Sequence, residues 1–196
     1  MSKHITKICA SSFFYLYNIR RIRKYLSQTS TETLIHGFVS IRLDYYNSLL
    51  YDLPDSLLNK LQRVENACAR LIFNEHKFCH IRPLIMELHW LPIRFRIEFK
   101  ILLITFKILH GLAPSYLSSL ISLRRPSRYN LRSSNDTLLL NYPNFISKAT
   151  LGDRSFTCVA PKLWNALRFD VRCAKSVDVY KVKLKTHLFS LAFLLS

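Results

Sequence analysis

Apolar residues recur every three or four positions along most of the chain, which is the period of an α-helix. Over residues 3–26 the series Ile5, Ile8, Phe13, Leu16, Ile19, Ile22 and Leu26 forms one stripe, and the cluster Arg20-Arg21-Ile22-Arg23-Lys24 places its charges on the opposite face. Thr29, followed three positions on by Glu32, reads as a capping box and predicts a second helix through Leu34, Ile35, Phe38 and Ile41. Pro54 closes this unit, and Asp55 stands where it can cap a third helix over residues 55–73. There Leu57, Leu58, Leu61, Val64, Cys68, Leu71 and Ile72 share a face, while Lys60, Arg63 and Arg70 lie elsewhere on its surface.

A polar turn, Asn74-Glu75-His76-Lys77, precedes a short predicted helix over residues 83–88 that should bury Leu84, Ile85 and Leu88. Pro92 suits the first turn of a longer helix, and Gly111 is a natural residue to end it. In that helix Arg96, Lys100 and Lys107 fall within about 40° on a helical wheel, a narrow basic stripe on an otherwise apolar segment. Residues 114–123 are amphipathic. Residues 124–144 lack periodicity and read as a linker with one short strand at Leu138-Leu139-Leu140. Phe156, Val159, Leu163, Trp164 and Leu167 form a further helical stripe whose start Pro161 is expected to delay. Ser176 is placed to cap a final helix with Val177, Tyr180, Leu184, Leu188 and Leu191 inward and Lys181 and Lys185 outward. No internal repeat is present. The expected fold is mostly α, with at most one short β element. Four segments are expected: a helical bundle (1–75), a long-helix region (76–123), a basic linker (124–152) and a C-terminal helical segment (153–196).

Composition changes this picture in one respect. With 49% apolar residues, the chain can bury a core and disorder throughout is excluded. Lys and Arg number 29 against 12 Asp and Glu, a formal +17, and that excess asks for a polyanionic partner. Nucleic acid fits best, ahead of an anionic membrane or a merely solvated surface. Only Gly37, Gly111 and Gly152 are available for close backbone approach to a phosphate, which argues against Rossmann, P-loop and nucleophile-elbow chemistry. Five scattered cysteines without a CxxC pair do not make a secreted disulfide framework, so a reducing compartment is expected. The longest apolar run, residues 101–109, is interrupted by Lys107 and falls short of the roughly 18 residues of a membrane span.

Chemistry is sparse. His76, Cys79 and His80, with His89 nearby, offer zinc-type ligands, but Cys79 and His80 are adjacent and point apart, and no second cysteine pair completes four ligands. Asp52 and Asp55 bracket a proline turn, where capping explains them without metal. No Ser or Cys lies in a glycine-flanked elbow. No catalytic residue, metal or cofactor is therefore expected. The basic clusters say more: Arg20 to Lys24, the Arg96, Lys100 and Lys107 stripe, Arg124-Arg125 with Arg128 and Arg132, and Lys181, Lys183 and Lys185, with Tyr25, Tyr45, Tyr46, Tyr129 and Phe95 among or near them as stacking faces.

A series of strings then resembles one family. These are Ile22-Arg23-Lys24-Tyr25-Leu26, Arg42-Leu43-Asp44-Tyr45, Asn47-Ser48-Leu49-Leu50-Tyr51, Leu53-Pro54 and Leu61-Gln62-Arg63-Val64 with Asn66-Ala67 and Ala69-Arg70. They continue with Leu88-His89-Trp90-Leu91-Pro92-Ile93, Phe99-Lys100-Ile101-Leu102, Leu109-His110-Gly111-Leu112-Ala113-Pro114, Gly152-Asp153-Arg154-Ser155-Phe156 and Ala160-Pro161-Lys162-Leu163-Trp164-Asn165. In order and spacing they resemble the C-terminal region of the polymerase protein of non-LTR retrotransposons, the jockey-like and chicken-repeat-like LINE group. The resemblance implies that residues 1–75 are similar to the thumb helices behind a reverse transcriptase palm and that the rest is a helical post-polymerase region. The aromatic-X-Asp-Asp hairpin of the palm does not occur in these 196 residues, so no catalytic role carries over. Tyr46 stands where that family commonly has cysteine, Asp52 where glycine precedes Leu-Pro, Cys79 where aspartate often precedes the histidine, and Arg168 where proline follows Trp-Asn-X-Leu.

The expected function is a non-catalytic grip on RNA or DNA through phosphate contacts, without sequence preference. Arg21, Arg23, Lys24, Arg96, Lys100, Arg125, Arg128, Lys181 and Lys185 are its expected contact residues. The alternative is a helical interaction module whose partner is the missing polymerase core. No membrane partner is expected.

Overall fold

The N-terminal periodicity becomes helix α1 (Ser2–Ile22), continued by a tight 3-10 turn, Arg23–Tyr25. Ile5, Leu16 and Ile19 point inward as expected, but Ser12 takes the fourth buried place and Phe13 and Ile22 stand exposed. The structure, a computed structural model, describes residues 1–124, 138–143, 152 and 154–194. Among these the chain is mostly α-helical, and strand pairing is confined to one isolated antiparallel bridge between Leu123 and Leu140.

Helix α2 (Gln28–Ile35) begins two residues earlier than the expected capping box. Its N-cap is Ser27, whose hydroxyl accepts the Ser30 N–H at 3.0 Å. Thr29 already lies inside the helix and cannot cap it. Ser27→Ala is therefore expected to lower the unfolding free energy by about 1 kcal/mol and Thr29→Ala to change it little. Urea unfolding midpoints of the two variants distinguish the assignments, and the reverse order would restore Thr29 as the cap.

A π-helical turn, His36–Ser40, joins α2 to α3 (Ile41–Asp44). The wider turn inserts extra arc into the helix, so the inward positions become Ile35, Val39, Ser40 and Leu43. Phe38 and Ile41, predicted to be core from uninterrupted α periodicity, are exposed instead. After a second 3-10 turn, Asn47–Leu50, the chain reaches Asp52 at a φ of 54°. That left-handed conformation is one glycine adopts freely.

Helix α4 (Asp55–Phe73) buries Leu58, Leu61, Val64, Cys68, Leu71 and Ile72, with Ala69 and, unexpectedly, Glu65 among them. Asp55 does not cap it: the N-cap is Pro54, and the Asp55 carboxylate meets Arg94 Nη2 at 3.3 Å. Helices α1 and α2 pack on α4, as does α5 (Ile81–Glu87), which buries Leu84 and Ile85. The long helix α6 (Ile93–Leu109) starts after Pro92 and ends at Gly111, whose φ is 66°. There the Leu112 N–H reaches back to Lys107 O at 2.8 Å, the expected helix stop.

The described residues cluster into two compact units, Met1–Ile97 with Phe189–Ser196, and Glu98–Leu188. The division expected at 75/76 falls inside the first unit, because α5 packs on α4, and those expected at 123/124 and 152/153 fall inside the range of the second. Most of the expected linker lies outside the described residues. In the second unit Phe106 stacks on Tyr180 with centroids 4.1 Å apart, and Trp164 lies 6.0 Å from the tyrosine ring. The Trp164 Nε1–H donates to Leu138 O at 2.7 Å, and the Tyr180 hydroxyl donates to Leu102 O at 3.3 Å, so each buried aromatic satisfies its polar end. Asn165 substitutes for a strand neighbour: its amide accepts the Leu140 N–H at 2.9 Å and donates to Leu140 O at 3.0 Å.

After α7 (Ser115–Ser118) and the bridge come α8 (Phe156–Ala166), α9 (Phe169–Arg172) and α10 (Val177–Phe193). Pro161 sits inside α8 and does not delay its start. The burial of Val159, Ala160 and Trp164 on both sides of it offsets the missing N–H. Ser176 caps α10 as expected, its hydroxyl accepting the Val179 N–H at 3.3 Å.

Candidate nucleic-acid interface

Packing of α1 on α4 brings together two segments about fifty residues apart in sequence. The end of α1 carries Arg20 and Arg21, and the 3-10 turn after it carries Arg23 and Lys24. The facing segment is the last turn of α4 with the loop beyond, which turns sharply because Asn74 adopts a φ of 56° and the Glu75 N–H bonds to Arg70 O at 2.8 Å. Together they line a cavity of about 780 Å³ bordered by Arg20, Arg21, Arg23, Lys24, Arg70 and Lys77, with Ala67, Leu71, Asn74, Glu75 and His76. Six cationic side chains thus face one carboxylate, Glu75. Such a cluster concentrates positive potential and attracts anions.

The six do not play the same part. Arg23 Nε donates to Leu71 O at 2.9 Å, Nη2 to Ile72 O at 2.8 Å and Nη1 to Leu26 O at 2.8 Å. Its guanidinium thereby satisfies the open carbonyls at the α4 C-terminus, where a cation is also favoured by the helix dipole. Arg70 Nη2 donates to Cys79 O at 3.1 Å and ties the loop to the helix. Arg20, Arg21, Lys24 and Lys77 are exposed. Lys24 Nζ lies 4.7 Å from the Tyr25 ring centre and Lys77 Nζ 5.5 Å from that of Phe78. These two rings, 76% and 84% exposed, are presented to solvent beside the cavity's lysines.

Of the other residues expected to touch nucleic acid, Arg96 is engaged within the fold. Its side chain is only 14% exposed; Nε donates to Leu91 O at 3.0 Å and lies 3.0 Å from Glu65 Oε1, while Nη1 meets Asp44 Oδ1 at 3.2 Å. Burial pushes the Glu65 carboxyl up from 4.5 to about 7, against the pull of Arg96 and of the Gln62 amide, whose Nε2 donates to it at 2.8 Å. The same burial pushes the neighbouring Cys68 thiol up to about 12, which leaves it protonated and unreactive. Arg96 therefore holds α3, α4 and α6 together.

Lys100 is exposed on α6 in the second unit, while Lys107 is half-buried. Lys181 pairs with Asp178 at 3.0 Å, and Lys185 is exposed on α10. None of these lysines borders the cavity. Arg125 and Arg128 lie outside the described residues. Among the described residues no three His, Cys, Asp or Glu side chains gather in a way that could hold a metal ion. No helix among them is long and apolar enough to cross a membrane.

Four cavity residues, Arg20, Arg70, His76 and Lys77, were not among the expected contacts. The first has a local signal, its place beside Arg21 in the basic cluster. The others are brought in by long-range packing of α1 on α4, which no short-range pattern reports. The chain matches no family model, no curated protein and no solved structure.

Proposed function

We propose that the chain is a non-catalytic nucleic-acid-binding segment, a fragment of a non-LTR retrotransposon reverse transcriptase that grips RNA or DNA by its phosphates. The observation that carries this reading is the gathering of six Arg and Lys side chains around one cavity, with a single carboxylate among them. Arg20, Arg21, Lys24 and Lys77 supply the exposed contacts, and Arg23 and Arg70 shape the site. Lys100, Lys181, Lys185, Arg125 and Arg128 add general attraction, since phosphate contacts need charge and not a fixed geometry. The chain works in the nucleus or cytoplasm, where such polymers occur. The resemblance in the strings from Ile22-Arg23-Lys24-Tyr25-Leu26 onward supports the parentage.

The test is a salt series with single variants. Arg21→Gln and Lys24→Gln are each expected to flatten the slope of log affinity against log salt by about 0.7–0.9, one phosphate contact apiece, with unfolding midpoints unchanged. Unaltered slopes in both would overturn the assignment of this cavity.

A second reading rests on a different observation. Phe14, Phe38, Ile41 and Leu49 are exposed in the first unit, and such surface suits a helical module that docks on a polymerase core. On that reading the isolated chain binds little nucleic acid and associates with itself.

A further inference from the structure

A second, smaller cavity of about 220 Å³ adjoins the basic one. It is lined by Phe13, Leu16, Tyr17, Arg20 and Ala67, and it shares Arg20 and Ala67 with its larger neighbour. The two therefore lie side by side along α1. Phe13, Tyr17 and Arg20 or Arg21 follow one another at three- or four-residue steps, so they line one side of α1 over about 12 Å of its axis, and Lys24 follows in the 3-10 turn beyond it. Aromatic rings occupy one end of this track and cations the other.

The buried Leu16 and half-buried Ala67 line the small cavity, while Phe13 and Tyr17 are 45% and 62% exposed. Buried rings at helical spacing would be core; these two flank an opening beside a phosphate-attracting surface. The volume is below the roughly 300–1,000 Å³ of pockets for drug-sized ligands and suits one planar ring system. In a duplex the base faces are stacked on one another, so only an unpaired base can enter such a cleft.

We propose that Phe13 and Tyr17 form a base-stacking subsite for single-stranded nucleic acid, one unpaired base lodging between them while the adjoining phosphates run along Arg20, Arg21 and Lys24. This rests on the phosphate-gripping reading above and adds the strandedness of the ligand. Base–aromatic stacking is tolerant of sequence because every base presents a π-face, which accords with a site that has no base-edge reader.

The full chain is titrated by fluorescence anisotropy with three labelled probes of equal length: a single-stranded RNA, an abasic strand with the same phosphates, and a duplex. The Phe13→Ala/Tyr17→Ala variant is expected to lose about tenfold or more in affinity for the single strand, with the abasic strand, the duplex and the salt slope unchanged. Tyr17→Phe retains the ring and is expected to bind as the parent does. In the unaltered chain, a 2-aminopurine in the single strand is expected to be quenched on binding, a readout independent of any substitution. Unchanged single-strand affinity in the double variant, equal loss on all three probes, or absence of quenching would overturn the subsite. If Arg21→Gln and Lys24→Gln weaken every probe while the aromatic variant weakens none, only the stacking inference fails. If the charge variants weaken nothing, the phosphate reading fails as well.

Discussion

Replacing Arg96 with alanine is expected to lower the unfolding free energy by about 3–5 kcal/mol at pH 8, a larger loss than any exposed Arg or Lys in the chain should give. The guanidinium faces Glu65, which is 1% exposed, and Asp44, and it also bonds to Leu91 O. Removing it leaves the Glu65 carboxylate buried beside Asp44 with the Gln62 amide and the Ile93 backbone N–H as its support. The loss has a definite pH dependence. Because the folded-state value of Glu65 is raised from 4.5 to about 7, the folded chain binds this proton more tightly than the unfolded chain. Stability therefore falls as pH rises between those values, by on the order of 3 kcal/mol in all. Without Arg96 the upward shift grows, so the damage is greatest above pH 7 and smallest near pH 5, where the folded carboxyl is neutral in either protein. Urea unfolding of parent and variant at pH 5 and pH 8 measures both. An equal loss at the two pH values would contradict the placement of Glu65 as the buried charge that Arg96 neutralises.

The second large effect concerns affinity. The triple variant Arg21→Gln/Lys24→Gln/Lys77→Gln is expected to bind single-stranded RNA roughly 50-fold more weakly at physiological salt. A slope of about 0.7 per phosphate contact amounts to about 0.6 log units at roughly 0.15 M relative to 1 M salt, and three contacts are removed. All three side chains are exposed, so unfolding midpoints should not move. Removing the same number of charges at Lys100, Lys181 and Lys185, which do not border the cavity, controls for net charge alone. An equal loss in this control would mean that the chain binds through its overall charge and that the cavity has no special role.

The helices were readable because their signals are short-range. The stripe of α4, the inward Tyr180, Leu184 and Leu188 of α10 (its expected Leu191 is exposed), the Pro92 start and Gly111 stop of α6, and the Ser176 cap each depend on residues within a turn or two of one another. The failures have equally specific causes. Thr29 with Glu32 makes a good capping box, yet Ser27 two residues earlier offers the same chemistry and wins. The π turn at His36–Ser40 resets the face of the following residues, and α periodicity cannot anticipate it. Pro161 is carried inside a helix because the buried residues around it are held by tertiary packing.

The candidate site was half legible. Arg21 and Lys24 stand out as part of a basic cluster, but nothing local reveals that Arg23 in the same cluster closes the end of α4, or that Arg96 meets a glutamate hidden in an apolar stripe. Both are arginines whose planar fork suits carbonyls and carboxylates as well as it suits phosphates. Arg70 and Lys77 join the site only through the packing of α1 on α4. Phe13 belongs to the apolar stripe of residues 3–26 by its spacing, and only the packing of α1 on α4 sets it and Tyr17 at an opening.

The most direct measurement is equilibrium binding of the purified chain to single-stranded RNA and to duplex DNA across a salt series from low to physiological concentration. A steep log–log slope is expected for the single strand, equivalent to about four or more phosphates, with tighter binding to the single strand than to the duplex throughout. A flat slope, or no binding at low salt, would contradict the phosphate grip.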